Sequence, residues 1–186
     1  MGINLTKGGN APIGASLQKF TVGMGWDVND TEGSPFDLDA SAFMLGADGK
    51  CLSAANFIYF NNLKSTDGCL EHTGDNLTGA GDGDDESIKV DLSKVPANCD
   101  SITFVVTIHE AEARRQNFGQ VRNAFVRIYD PSTNEEVLKY DLGEDYSIET
   151  AVEFGNLYKK DGAWKFKAIG TGYAGGLAKF VEKFGL

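Results

Sequence analysis

The 186-residue chain is short of the residues that staple or metal-tie small domains, with three cysteines and two histidines. Cys51, Cys69 and Cys99 are odd in number and form no CxxC pair, and a chain of this length buries enough surface to need no cross-link. Reduced, structural thiols in a cytoplasmic protein are expected, and a disulfide framework or a structural zinc site is not. Long apolar runs are also missing. No stretch reaches the ~18 apolar residues that suggest a membrane span, and the opening MGINLTKGGNAP lacks the apolar region of a signal peptide. Gly2 and Thr6 fit the myristoylation pattern, a short match that is weak support for a lipid anchor. Basic charge is scarce as well: 17 Lys and Arg face 27 Asp and Glu, for a formal net charge of −10. A nucleic-acid binder usually shows a basic face, so no nucleic-acid partner is expected.

What is present is a globular composition, 41% hydrophobic and 11% aromatic, read as one domain over residues 1–186. Most patterned segments alternate with period 2. Ile88, Val90 and Leu92 face one way and Lys89 and Asp91 the other; Leu138, Tyr140 and Leu142 repeat this, as do Trp164 and Phe166 against Lys165 and Lys167. Ile102 to Ile108 is a near-continuous β-branched run, as expected of a central strand buried on both faces. Phe57 to Phe60, Ala124 to Tyr129 and Thr21 to Gly25 read as further strands, and Ser147 to Leu157 as strand in preference to helix. Gly176 to Phe184 carries Leu177, Phe180, Val181 and Phe184 at helical spacing. The fold class is therefore all-β: an antiparallel β-sandwich with a short C-terminal helix.

The acids are not spread evenly. Gly74 to Glu86 reads GDNLTGAGDGDDE, and the stretch from Asp75 holds five acids and no base. Calcium is a hard cation that takes six to eight oxygens. Asp75, Asn76, Asp82, Asp84, Asp85 and Glu86 supply them here, and the intervening glycines let carbonyls turn inward. Each close carboxylate pair costs about 1 kcal/mol or more at intermediate dielectric, so a cation would favour an ordered loop. The bland reading is a solvated acidic loop. No register fits the helix-loop-helix calcium pattern, so a site would draw on other loops: Asp37 and Asp39, which alternation places on one side, then Asp27, with Asn61 and Asn62 as amide donors.

These segments carry a resemblance. LTKGGN at 5–10, VGMGWD at 22–27, FDLDASAF at 36–43, NNL at 61–63, HTGDN at 72–76 through DE at 85–86, and FGQVR at 118–122 stand in one order. YDL at 140–142, ETA at 149–151, WKFKA at 164–168 and GYAGGL at 172–177 complete the series. Over essentially its whole length the chain resembles the tellurium-resistance TerD family. The resemblance implies a β-sandwich binding two calcium ions at clustered loops. It also implies a role in resistance to tellurite and related stresses, acting with other stress-response proteins and at the inner membrane surface. Ala80 stands where the family often has Glu, which removes one carboxylate. The expected metal ligands are Asp27, Asp37, Asp39, Asn62, Asp75, Asn76, Asp82, Asp84, Asp85 and Glu86.

Other patterns compete with this reading. Gly170 to Gly175 fits GxGxxG, but the chain ends too soon after it for the next strand of a dinucleotide fold, so a tight turn into the helix is expected. His109-Glu110 opens an HExxH pattern that Ala113 breaks, which excludes a zinc protease; Glu110 remains a peripheral calcium ligand candidate. Arg114, Arg115, Arg122 and Arg127 form the one notable basic cluster, read as a solvated loop or as a contact for a phosphate-bearing partner. The chain is expected to be a non-enzymatic, calcium-binding stress protein. The rival readings are a metal-dependent phosphoester hydrolase, a calcium-dependent module for anionic membranes, and direct tellurite binding by thiols that show no clustering in sequence.

Overall fold

The structure, a computed structural model, describes residues 2–74, 79, 83–143 and 146–186. The strands, in chain order, are β1 (Ile3–Leu5), β2 (Asn10–Pro12), β3 (Lys19–Gly25), β4 (Leu38–Leu45), β5 (Phe57–Ile58) and β6 (Leu70–His72). They continue with β7 (Glu86–Asp91), β8 (Ser101–Ile108), β9 (Phe125–Asp130), β10 (Glu135–Asp141), β11 (Ala151–Lys160) and β12 (Ala163–Tyr173). A one-turn helix, α1 (Ala111–Arg114), follows β8, and α2 (Gly176–Lys183) follows β12. One sheet runs β1-β10-β9-β3-β7-β6 and the other β2-β12-β11-β8-β4-β5. Every pair is antiparallel except β1 with β10, which is parallel. No helix among the described residues is long and apolar enough to cross a membrane.

The period-2 segments fall where alternation places them. In β7, Ile88 and Val90 are buried in the sandwich and Lys89 is exposed; Leu92 lies one step past the strand, in a 3₁₀ turn. The run in β8 sits between β11 and β4, and its two faces serve two cores. Ile102, Phe104 and Val106 join the core between the sheets, while Val105 joins a smaller cluster on the outer face. β4 is divided in the same way. Leu38, Ala40, Ala42 and Met44 point inward, and Phe43 and Leu45 point to the outer cluster.

Helix α2 covers that outer cluster. Its predicted stripe is the contact face: Phe180 and Phe184 are buried, Leu177 and Val181 half-buried, and burying each phenylalanine stabilises the docking by about 1.5–3 kcal/mol. Phe43 stacks on Phe57 at 4.3 Å and lies 4.7 Å from Phe184. Gly175, at φ 107, turns the chain from β12 into α2, a left-handed conformation that glycine adopts without strain. The GxGxxG pattern is thus the end of an antiparallel strand and a helix entry, as expected.

Two strand boundaries differ from the sequence expectation. Phe57 to Phe60 is a strand only over Phe57–Ile58, because Tyr59 and Asn62 exchange backbone hydrogen bonds and close a turn. Ser147 to Thr150 precede β11, since the Glu149 carboxylate accepts the N–H groups of Ser147 and Ile148 and holds a local turn.

Candidate metal centre

The acidic loop rejoins the described chain at Gly83 and runs into β7, whose neighbour β3 carries two glycines at the crossing. A Cβ at Gly23 would meet the Asp84 carboxylate, and one at Gly25 would meet the Phe125 ring and the Gly83 carbonyl. Glycines within a strand mark a close backbone approach, and here the loop is what approaches. Asp84 lies over Gly23, and Arg127 of β9 grips it with Nε on one oxygen at 2.8 Å and Nη2 on the other at 3.1 Å. Asp85 is fixed by two bonds, its N–H to the Met24 carbonyl at 2.8 Å and its Oδ2 from the Trp26 N–H at 2.8 Å. Asp27 follows Trp26; its N–H bonds the Arg122 carbonyl at 3.0 Å and its carboxylate accepts Asn123 Nδ2 at 2.7 Å.

Asp27, Asp84 and Asp85 therefore share one end of the β3–β7 pair. Burial pushes the Asp85 carboxyl upward and the Trp26 N–H opposes it, while the charges of Asp84 and Asp27 raise it further. The bidentate Asp84 carboxylate, working against burial, raises the Arg127 guanidinium. Carboxylate oxygens are the chemistry a hard cation takes, and here two carboxylates carry unequal countercharge.

Asp37 and Asp39 stand at the start of β4, in the opposite sheet. Both are buried on the same side of the chain, as alternation implies. Asp37 stands 3.7 Å from Arg114, which also reaches Glu110 at 3.6 Å. Asp39 stands 3.6 Å from His109 Nδ1, and Glu110 stands 3.9 Å from Nε2 of the same ring. The loop and this pair come nearest through Trp26, whose indole N–H donates to the Phe36 carbonyl at 3.2 Å, one residue before Asp37. Asn62 is held in its own turn by a bond from Nδ2 to the Phe57 carbonyl at 2.7 Å. Asp75, Asn76 and Asp82 lie outside the described residues. Among the described residues no three His, Cys, Asp or Glu side chains stand close enough to hold a metal ion by themselves. The carboxylates feel one another's charge without closing a shell, so a cation here would need the loop's remaining oxygens.

Glu86 has a position that sequence did not indicate. It is 2% exposed at the start of β7, and Oε2 accepts the Ala40 N–H of β4 at 2.6 Å and stands 3.3 Å from His72 Nε2. It joins the acidic loop to the opposite sheet. The Glu86–His72 and Asp84–Arg127 partnerships had no sequence signal beyond the two strand glycines. The basic cluster is divided as well: Arg127 serves Asp84 and Arg114 serves Asp37, apart from Arg115 and Arg122.

Comparison with known proteins gives the family of the chain. The TerD domain model matches residues 1–184. The chain is 55% identical to Tellurium resistance protein TerD of an Alcaligenes species and 56% identical to General stress protein 16U of Bacillus subtilis (strain 168). Each alignment covers 100% of this chain and 98% of the relative. In fold it is similar to the crystal structure of a homologue of telluride resistance protein (TerD) from Streptomyces coelicolor A3(2), with a TM-score of 0.72 at 23% identity, covering 88% of this chain and 94% of that one. These relatives are named for resistance and stress response. The chain belongs to the TerD domain family of tellurium-resistance and general stress proteins.

Proposed function

We propose that the chain is a calcium-binding stress-response protein of the tellurite-resistance type that works without turnover. Calcium orders the acidic loop as a surface for other stress-response proteins and for the inner face of the cell membrane. The observation that carries this is the convergence of Asp27, Asp84 and Asp85 on one end of the β3–β7 pair, two of them fixed by 2.8 Å hydrogen bonds. These three are the cation-facing carboxylates, with Asp75, Asn76 and Asp82 as the further donors from the loop. Glu86 anchors the loop's end to β4. Asp37 and Asp39 form a second acidic pair, where a second ion would compete with Arg114 and His109 for the same oxygens. Two ions carry four positive charges and would move the formal net charge of −10 to −6. Free cysteines at 51, 69 and 99 fit a cytoplasmic setting.

Calcium that binds only the folded chain stabilises it by mass action, about 2.7 kcal/mol per site at a hundredfold excess over Kd. For a domain of this size that is a rise in Tm of about 5–11 °C. The test is thermal melting in chelator and in calcium, with calorimetric titration for stoichiometry. Asp85→Asn is expected to lose most of the shift at its site while melting as a folded protein in chelator. Equal Tm in chelator and in millimolar calcium overturns the proposal.

A further inference from the structure

Segment 28–34, which carries no helix or strand, folds against the chain that follows α1, and the two enclose a cavity of about 340 Å³. That is within the size range of small-ligand sites. Arg114, Arg115 and Arg122 line it. Arg114 is engaged by Asp37 and Glu110. Arg115 and Arg122 are exposed and form no ion pair among the described residues. Arg115 has φ 53 and closes α1 through its N–H to the Ala111 and Glu112 carbonyls, a turn after which the chain buries Gln116.

Gln116 supplies the second, independent observation. It is 7% exposed and lines the same cavity. Its Nε2 donates to the Ser34 carbonyl at 2.7 Å and the Pro35 carbonyl at 3.3 Å. Two carbonyl acceptors fix the amide orientation. The other end of the amide, Oε1, is enclosed with no hydrogen-bond partner. Buried acceptors are nearly always met by a donor, and a small shift of the amide toward the cavity that Gln116 lines lets one arrive.

We propose that this cavity binds a small phosphate monoester bearing hydroxyl or N–H donors. Arg115 and Arg122 take the phosphate oxygens, for which the planar guanidinium is suited, and Gln116 Oε1 accepts a hydrogen bond from the organic part of the same ligand. Asp30 and Glu32 also line the cavity. They oppose a polyanion and favour a single phosphate flanked by donors. Soluble metabolites and lipid headgroups share this chemistry, and the experiment separates them.

The full chain is titrated calorimetrically, in chelator, with ribose 5-phosphate, inorganic phosphate and ribose. Ribose 5-phosphate is expected to bind roughly tenfold or more tightly than inorganic phosphate, and ribose not measurably. The double variant Arg115→Gln/Arg122→Gln, at two exposed positions, is expected to melt as the parent does and to lose roughly tenfold or more in ribose 5-phosphate affinity. A second arm sediments the protein with phosphatidylcholine vesicles carrying phosphatidic acid. Vesicle binding that ribose 5-phosphate displaces supports the cavity and adds a lipid source. Vesicle binding that it does not displace assigns the arginines to a flat membrane contact and overturns the proposal. So does the absence of ribose 5-phosphate binding, or equal binding by parent and double variant.

Discussion

Replacing Glu86 with leucine removes a buried carboxylate that accepts a backbone N–H of β4 and stands beside His72. Oε2 accepts the Ala40 N–H at 2.6 Å and stands 3.3 Å from His72 Nε2, with both side chains 1% exposed. Because His72 Nδ1 accepts the Gly74 N–H at 3.1 Å, the ring proton of the neutral imidazole sits on Nε2, facing the carboxylate. Leucine fills the space and leaves the Ala40 N–H buried without an acceptor, at about 1–3 kcal/mol, and takes the carboxylate away from the imidazole. The expected loss is about 1–3 kcal/mol, a fall in Tm of about 2–12 °C. Glu86→Gln keeps an oxygen for Ala40 but weakens the contact to His72, so about half the loss is expected. Urea denaturation of the three proteins in chelator measures this, read from the midpoint at constant m. The same series in calcium separates two roles. If Glu86 acts by holding the loop to β4, Glu86→Gln keeps the wild-type calcium shift. A Glu86→Leu protein within about 0.5 kcal/mol of wild type refutes the bridge. A Glu86→Gln protein that keeps its stability but loses the calcium shift refutes it too, and makes Glu86 a calcium ligand.

Gly23→Ala places a methyl against the Asp84 carboxylate; the expected cost is about 1–3 kcal/mol, with weaker calcium binding as Asp84 leaves Arg127, and an unchanged melt and titration would count against the close approach. Burial pushes the thiols up, Cys69 to about 12 and Cys99 to about 11, so both are protonated near neutrality and poor nucleophiles. Cys69 and Cys99 should react with a disulfide reagent only after unfolding, and rapid native labelling of either would contradict this. Lys183 binds Glu153 at 2.7 Å and Tyr173 at 2.9 Å; burial works against its charge, but these partners outweigh it and raise its pKa above 10.5. A raised folded-state value means the contribution is present at and below the free-lysine value and is lost as pH rises through the folded one. Lys183→Met should therefore lower Tm at pH 7 and converge with the parent under strongly alkaline conditions; a gap independent of pH would exclude the ion pair as its cause.

The parts of the fold that could be read from sequence depend on local repetition. The alternation at Ile88 and Val90, the apolar run at 102–108 and the stripe at Leu177, Phe180, Val181 and Phe184 each contain their own period, and the structure places each on the expected face. The limits of Phe57 to Phe60 and the parallel β1–β10 pair depend on a turn closing and on a partner far along the chain, and neither leaves a periodic trace.

The acidic centre follows the same division. Its acids are legible because acids and glycines crowd one loop, but their counterions are not. Asp84 meets Arg127 across 43 positions and Asp85 meets the Trp26 N–H across 59, pairings set by which strands are neighbours. Sequence presents one run of acids, whereas the fold gives them partners from different elements. Asp27, Asp84 and Asp85 hold one end of β3–β7 with the Arg127 guanidinium on Asp84, while Asp37 and Asp39 sit beside Arg114 and His109. A carboxylate already paired gives up that partner to take a metal, so the two groups cannot be equivalent toward a cation. Among the described residues the first group sets one arginine against Asp27, Asp84 and Asp85, and the second sets one arginine, with His109 beside it, against Asp37, Asp39 and Glu110. A cation at either group would displace an arginine contact, bidentate at 2.8 and 3.1 Å on Asp84 and longer, 3.7 Å, on Asp37.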